Sequence, residues 1–292
     1  MAKLEIDAKA ELGEGAIWHP SENKLFWVNI EGKELHIFDP EKGTDKILRL
    51  GERVGTIVPV ANGGALVALQ TGIHFINTKT GDLHFLINPL PHGDIRFNDG
   101  KCDAAGRFWV GSMHLEQTSG AASLYRMDID GSIHKMLDDV SISNGITWSA
   151  DNKTMYYVDS PLNTIDAFDY DINSGAISNR RVIATIGSEL GGPDGMTIDE
   201  EGKLWVALWG GNGVGRFDPA TGKLLQKIDV PAPHIASCTF GGKNLDTLYI
   251  TSAREGMNEQ QLEQYPLSGG LFSVQPGVKG VPAQFYKGKI NF

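Results

Sequence analysis

The chain repeats one short apolar run six times, and this repeat limits its fold more than any other feature. The six copies are NKLFWVNI (23–30), GGALVALQ (63–70), GRFWVGSM (106–113), NKTMYYVD (152–159), GKLWVALW (202–209) and DTLYITSA (246–253). Equivalent positions in successive copies, from Phe26 to Leu248, are 40 to 49 residues apart. A period in the forties that contains several short strands is typical of the blades of a β-propeller.

The remainder of each repeat also has the pattern of strands. A second strand and an Asp-to-Gly turn follow most runs, as in LHIFDPEKG (35–43) and VGRFDPATG (214–222). A third apolar run comes next, for example 46–50 or 224–230, and one more strand precedes each first run. No sustained helical stripe competes with this pattern. The sequence therefore predicts an all-β, six-bladed β-propeller with four antiparallel strands per blade, forming a single domain over residues 1–292.

A propeller must close its ring, and the N-terminal segment is predicted to do so. Leu4, Ile6 and Ala8 alternate with polar residues, as in a half-buried strand. We expect this strand to pair with VPAQFYKG (281–288) at the outside of the last blade, leaving no bare edge.

Composition restricts the partners and the location of the protein. The 36 glycines lie singly or in pairs between the apolar runs, where turns need them. The net charge of −10 argues against nucleic acid and anionic membrane surfaces. There is no apolar run of about 18 residues and no signal-peptide pattern, and the two cysteines, Cys102 and Cys238, lack CxxC spacing. We expect a reduced, cytoplasmic protein without nucleic-acid or membrane partners.

An acid or amide followed by glycine opens the innermost strand in four of the six repeats. The opening pairs are Glu14-Gly15, Gly55-Thr56, Asp99-Gly100, Asn144-Gly145, Asp194-Gly195 and Ser237-Cys238. Since these positions are equivalent, a propeller would place them in a ring at one end of its central channel.

Side-chain oxygens that converge there would repel one another, or would be buried without hydrogen bonds, unless another group binds them. A divalent cation does so, because carboxylate, amide and water oxygens suit hard ions such as Ca²⁺, Mg²⁺ and Mn²⁺. The alternative is that each pair is a turn in which Asp or Asn makes local hydrogen bonds. Four such residues in register favour the cation, so we predict one divalent metal ion at the mouth of the channel, with Ca, Mg, Mn, Zn and Fe left open.

The ends of the neighbouring strands are expected at the same mouth. These strand ends carry Asn29, Gln70, His114, Asp159, Trp209 and Arg254. Most of these are predicted to be rim residues without a further role. The longest loop, 253–270, is expected to form a wall of the pocket.

At these positions the sequence resembles the gluconolactonase/regucalcin (SMP-30/gluconolactonase/LRE-like) family of six-bladed propellers, and within it bacterial aldonolactonases such as xylonolactonase. The matching stretches are LGEGAIW (12–18), RFNDGK (96–101), ISNGITW (142–148), AFDYDINSGAISNRR (167–181), PDGM (193–196), EGKLWVALWGG (201–211) and FGGKN (240–244). They extend over essentially the whole chain. One departure is the short segment HLEQTSGAAS (114–123), where regucalcin-like members have a longer acidic loop, so the resemblance implies neither a lid nor a sugar preference.

The resemblance implies a role for each matching residue. Glu14, Asn144 and Asp194 fall on the family's metal ligands, while Arg96 and Asn98 fall on its substrate-binding residues. The repeat pointed to Asp99 as a ligand, but the family pattern implies that Asn98 faces the pocket and that Asp99 supports the start of the strand.

The function implied by the resemblance is metal-dependent hydrolysis of sugar-acid (aldono) lactones to open-chain aldonic acids, by a monomer or small homo-oligomer. The cation would polarise the lactone carbonyl, and Asp194 would act as the general base for the attacking water. Two alternatives stay open. One is a non-catalytic propeller that binds a divalent cation or small ligand; the other is an organophosphate or aryl-ester hydrolase, which the polar residues Arg96 and Asn98 disfavour.

Overall fold

The computed structural model describes residues 1–290, and antiparallel β-strands make up most of it. The 24 strands of this described part are β1 Lys3–Ile6, β2 Gly13–His19, β3 Lys24–Asn29, β4 Glu34–Asp39, β5 Thr44–Arg49, β6 Val54–Pro59, β7 Ala65–Leu69, β8 Gly72–Ile76, β9 Leu83–Ile87, β10 Ile95–Cys102, β11 Phe108–His114, β12 Ala122–Met127, β13 Ile133–Val140, β14 Ser143–Trp148, β15 Thr154–Asp159, β16 Thr164–Tyr170, β17 Ile177–Thr185, β18 Gly192–Ile198, β19 Leu204–Trp209, β20 Gly213–Phe217, β21 Leu224–Asp229, β22 His234–Gly241, β23 Thr247–Ala253 and β24 Leu271–Val274. Helical structure is limited to α1 (Glu259–Gln264) and two 3-10 turns, Ser160–Leu162 and Ser188–Leu190, within these residues. The predicted all-β class is confirmed; of the predicted domain 1–292, residues 291 and 292 lie outside the described part.

The strands form four-stranded antiparallel units in chain order, which is consistent with a propeller. Four separate sheets contain β2–β5, β6–β9, β10–β13 and β14–β17. The other eight strands share one sheet, in which the pair Trp209 and His234 joins a unit of β18–β21 to a unit of β22–β24 and β1.

The first strand of each unit lies at the centre of the molecule. These inner strands, β2, β6, β10, β14, β18 and β22, contact one another in a closed ring. Every residue of β2, β6 and β14 is buried, because each strand is covered by its own sheet and by its neighbours in the ring. The outermost strands, such as β5 and β21, are largely exposed. The ring therefore forms the core and carries the strand positions that the sequence predicted to face the channel.

The N-terminal strand adds to the last unit as predicted, but its predicted partner was wrong. β1 pairs with β24, so that Lys3 lies opposite Ser273 and Ile6 opposite Leu271. Residues 281–288 run elsewhere, and the backbone of Tyr286 is hydrogen-bonded to Pro59 and Ala61 beside β6. The reason is burial: Tyr286 has no exposed surface and packs into the same apolar cluster as Val60.

Among residues 1–290, no helix is long and apolar enough to cross a bilayer.

Candidate active site

All six inner strands contain a β-bulge near the position predicted to face the channel. In β2 the register shifts between Glu14 and Ile17, in β14 between Asn144 and Ile146, and in β18 between Pro193 and Met196. β6, β10 and β22 have corresponding shifts. A bulge leaves residues unpaired and re-aims the chain locally, and here it leaves Gly15, Gly145 and Asp194 out of the regular ladder.

At Gly55, Gly145 and Gly195 a glycine is required by the close approach of two inner strands. A Cβ atom at Gly145 would lie 2.7 Å from the carbonyl oxygen of Asp194 and 2.6 Å from Cβ of Met196. A Cβ atom at Gly55 would lie 2.6 Å from the carbonyl oxygens of Phe97 and Asn98. The recurring glycine thus lets the backbone of one inner strand contact the next at the height of the site.

A cavity of about 940 Å³ opens where the inner strands begin. All five predicted site residues line it, and each is at most 6% exposed: Glu14 from β2, Arg96 and Asn98 from β10, Asn144 from β14 and Asp194 from β18. Asp99 does not line the cavity; its Oδ1 accepts a hydrogen bond of 2.7 Å from the backbone N–H of Gly100. Asn98 therefore lines the cavity, whereas Asp99 lies within β10 and its Oδ2 is buried without a hydrogen-bond partner in the described chain.

The carboxyl groups of Glu14 and Asp194 lie close enough for each to influence the pKa of the other. Burial, followed by the charges of Asp194 and Asp99, raises the pKa of Glu14 well above its ordinary value. Burial and the charge of Asp99 likewise raise the pKa of Asp194. Oδ1 of Asp194 is buried without a hydrogen-bond partner in the described chain. Two adjacent buried acids with an unpartnered oxygen are stable only if a proton or a cation is shared between them.

Amide groups connect the remaining site residues across three inner strands. Nη1 of Arg96 donates to Oδ1 of Asn98 at 2.7 Å, and Nδ2 of Asn98 donates to Oδ1 of Asn144 at 2.9 Å. Nδ2 of Asn144 donates to Oγ of Ser160 at 2.7 Å, and that hydroxyl donates to the carbonyl oxygen of Pro193 at 2.6 Å. This chain fixes the orientation of Asn144, whose Oδ1 keeps a second lone pair for another ligand.

The donor set fits a hard divalent cation. Glu14 and Asp194 supply carboxylate oxygens and Asn144 an amide oxygen, which are ligands of Ca²⁺, Mg²⁺ and Mn²⁺ in proteins. No group of three or more His, Cys, Asp or Glu residues that could hold a metal occurs between residues 1 and 290, and a site of two carboxylates and one amide does not require such a group. The partnerless Oδ1 of Asp194 is the atom that a cation would satisfy.

Most of the predicted rim residues have other structural roles. Of the six, only Trp209 lines the cavity. Oδ1 of Asn29 accepts hydrogen bonds from the backbone of Leu12 and Gly32, and Asp159 accepts from the backbone of Ser141 and Ile142. That most of these residues have no further role stays a prediction.

Loops supply part of the remaining cavity wall. The predicted wall segment 253–270 contributes Glu255 and Gly256, and segment 114–123 contributes Leu115 and Gln117. Sequence reasoning missed Glu11, Glu31, Arg53 and His234. Glu11 and Arg53 stand just before β2 and β6, so the residues that precede an inner strand were the signal that could have found them.

The fold and the site together define a class of protein. Its chain is mostly β and forms four-stranded antiparallel units, with a buried polar cavity where the inner strands begin. Residues 12–254 match the model of the SMP-30/Gluconolactonase/LRE-like region, and the chain belongs to this family.

Relatives and solved structures agree with this assignment. A Bacillus subtilis (strain 168) protein described as a candidate sugar lactone lactonase, YvrE, is 41% identical over 275 residues, covering 94% of each chain. Regucalcin from Danio rerio is 40% identical over 286 residues, covering 97% of each. The crystal structure of a calcium-binding protein, regucalcin from Agrobacterium tumefaciens str. C58, has a TM-score of 0.94 and 28% identity, and the match covers 98% of this chain and 97% of that one.

Proposed function

We propose that this protein is a metal-dependent hydrolase of sugar-acid lactones that releases the open-chain aldonic acids. The observation that carries the proposal is the meeting of Glu14, Asn144 and Asp194, from three different inner strands, in one cavity with Arg96 and Asn98. Membership of a family that includes a candidate sugar lactone lactonase supports a lactone as the substrate.

The proposal includes the architecture that creates this cavity. We propose a single domain of six blades, one for each inner strand in the closed ring. The eight-stranded sheet would then be two blades whose inner parts meet at Trp209 and His234. The six sequence repeats support the same number.

The roles of the residues follow from their chemistry. Glu14, Asn144 and Asp194 would hold the divalent ion, which when bound supplies Lewis-acid polarisation of a carbonyl oxygen. Asp194 would accept a proton from the water that attacks the lactone carbonyl carbon. The bond from this carbon to the ring oxygen would then break, and the ring oxygen would leave as a hydroxyl after taking up the proton that Asp194 accepted. Arg96 and Asn98 would hold the sugar hydroxyls and orient the ring.

The test is a panel of aldonolactones followed by acid release, with and without a chelator. We expect hydrolysis that stops on chelation and returns when a divalent ion is added. Asp194→Asn should lower kcat by about 10²- to 10⁴-fold, the usual contribution of a general base. Asp171→Asn, at an exposed turn between β16 and β17, is the matched control and should keep full activity. Hydrolysis at full rate by metal-free protein would refute the proposal.

A non-catalytic cation-binding protein is the second candidate, favoured by the description of the Agrobacterium structure as a calcium-binding protein. In that case the lactone panel would show no turnover, while calorimetry would detect binding of a divalent ion that Asp194→Asn abolishes.

A cytoplasmic location, a monomer or small homo-oligomer, and the absence of a nucleic-acid partner stay predictions, the last supported by the net charge of −10.

A further inference from the structure

One part of the cavity wall is formed by charged side chains, three of them from loops. Glu255, which follows β23, lines the cavity together with Glu31, Arg53 and Arg96. The hydrogen bonds of Glu255 within residues 1–290 are all made by its backbone, so its carboxylate has no protein partner there. A half-buried carboxylate without a partner, on the wall of a polar cavity, is available to a ligand.

The position of Glu255 is fixed although the residue belongs to a loop. Its backbone N–H donates to the carbonyl oxygen of Glu11 at 2.8 Å. Its own carbonyl oxygen is 3.0 Å from Nδ1 of His234, which can donate to it. The His234 ring is stacked on Trp209, with 4.4 Å between centroids and 11° between planes. Two backbone bonds and a stacked pair thus hold Glu255 in place before a ligand arrives.

The two arginines of the cavity do not make it an anion site. Nε of Arg53 is paired with Oε1 of Glu31 at 2.8 Å. Burial lowers the pKa of Arg96, and the nearby carboxylates of Glu255, Glu31 and Glu14 oppose this lowering. Lining acids outnumber the two lining arginines even when the proposed metal ligands Glu14 and Asp194 are left out; these acids are Glu11, Glu31 and Glu255. The negative charge of the cavity wall would therefore repel a ligand that carries a negative group.

Sugar hydroxyls need both donors and acceptors of hydrogen bonds. Arg96 offers N–H donors, since its Nη1 is used by Phe97 and Asn98 but its Nε and Nη2 have no partner within the described residues. Glu255 offers the acceptor, and its carboxylate is near enough to Arg96 to raise the pKa of that guanidinium. The two groups therefore suit a hydroxyl-bearing part of a neutral ligand.

We propose that Glu255 is a specificity-determining residue, which accepts a hydrogen bond from a hydroxyl group of an uncharged sugar lactone and repels lactones that carry a phosphate. This inference rests on the proposed lactonase function.

The experiment compares kcat/KM of the wild type, Glu255→Gln and Glu259→Gln on three six-membered lactones. They are glucono-1,5-lactone, its 6-phosphate and unsubstituted δ-valerolactone, each corrected for uncatalysed hydrolysis. Glu259→Gln is the matched control, because it removes the same charge from an exposed position of the same loop that does not line the cavity.

Glu255→Gln should lower kcat/KM for gluconolactone about 10- to 100-fold, the range for a hydrogen bond to a charged group. The rate on δ-valerolactone should change less than about twofold, which also shows that the variant is folded. The preference for gluconolactone over its 6-phosphate should fall at least about tenfold, whereas Glu259→Gln should leave all ratios unchanged. An equal change on all three lactones, or an unchanged preference, would overturn the role of Glu255. A wild type that hydrolyses none of them would overturn the proposed function, and this inference with it.

Discussion

At the scale of single residues, the buried acids Glu14 and Asp194 should make stability depend on pH. Burial, then neighbouring acids, raises both pKa values above their ordinary values of 4.5 and 3.8. The folded protein therefore binds protons more tightly than the unfolded chain, so stability present at low pH is lost as pH rises through the raised values. We expect the melting temperature of chelated protein to fall between pH 5 and pH 8 because of this pair, and Asp194→Asn to reduce the fall. Thermal scans measure both.

The same pair predicts how a divalent ion changes these scans. An ion competes with protons for the carboxylates, so millimolar Ca²⁺ or Mn²⁺ should raise the melting temperature more at pH 8 than at pH 5. Asp171→Asn should behave as the wild type does, because Asp171 is exposed and bound to its own turn. Identical slopes of melting temperature against pH in wild type and Asp194→Asn would contradict this account.

At the scale of elements, the spacing of the inner strands sets the geometry of the site. Gly145 of β14 contacts Asp194 and Met196 of β18 so closely that a methyl group would displace β18. Gly145→Ala should therefore lower the free energy of unfolding by about 2 kcal/mol, as overpacking does, and should also slow lactone hydrolysis. Gly93→Ala is the control, since a Cβ atom there meets nothing within 4 Å. Urea unfolding checks both variants, and a Gly145→Ala protein as stable as wild type would refute the packing argument.

The inner strands could be predicted from the sequence because their pattern repeats. The pairs around Glu14, Asn144 and Asp194 recur at one position of each repeat, and the structure brings all three to one cavity. The alternation of apolar and polar residues in β1 predicts a strand but does not identify the strand that pairs with it. For this reason the predicted partner, residues 281–288, was wrong. The loop 253–270 could be predicted as a wall from its length, but Glu255 could not be singled out within it, because its place depends on contacts with Glu11 and His234 that no local pattern encodes.

At the scale of the whole molecule, the segment after β24 ties several units together. Gly280 donates its N–H to Leu245 and pairs with Asp199, so it contacts the last two units. Tyr286 pairs with Val60 beside β6, and its hydroxyl donates to the carbonyl oxygen of Asp128 after β12 at 2.9 Å. A cavity of about 260 Å³ separates residues 281–284 from the far ends of the inner strands. This segment therefore bounds the molecule at the end away from the candidate active site.

Tyr286 tests whether this segment stabilises the closed ring. Its side chain is fully buried, so Tyr286→Ala should lower the free energy of unfolding by about 3–5 kcal/mol, as other large aromatic truncations do. Tyr286→Phe removes only the hydrogen bond to Asp128 and should cost about 1 kcal/mol. The exposed neighbour variant Gln284→Ala should cost less than about 0.5 kcal/mol.

Urea unfolding followed by tryptophan fluorescence measures all three, and kcat/KM below the transition should stay unchanged because Tyr286 does not line the active-site cavity. Equal unfolding midpoints for Tyr286→Ala and wild type would mean that β1 and β24 close the ring without this segment.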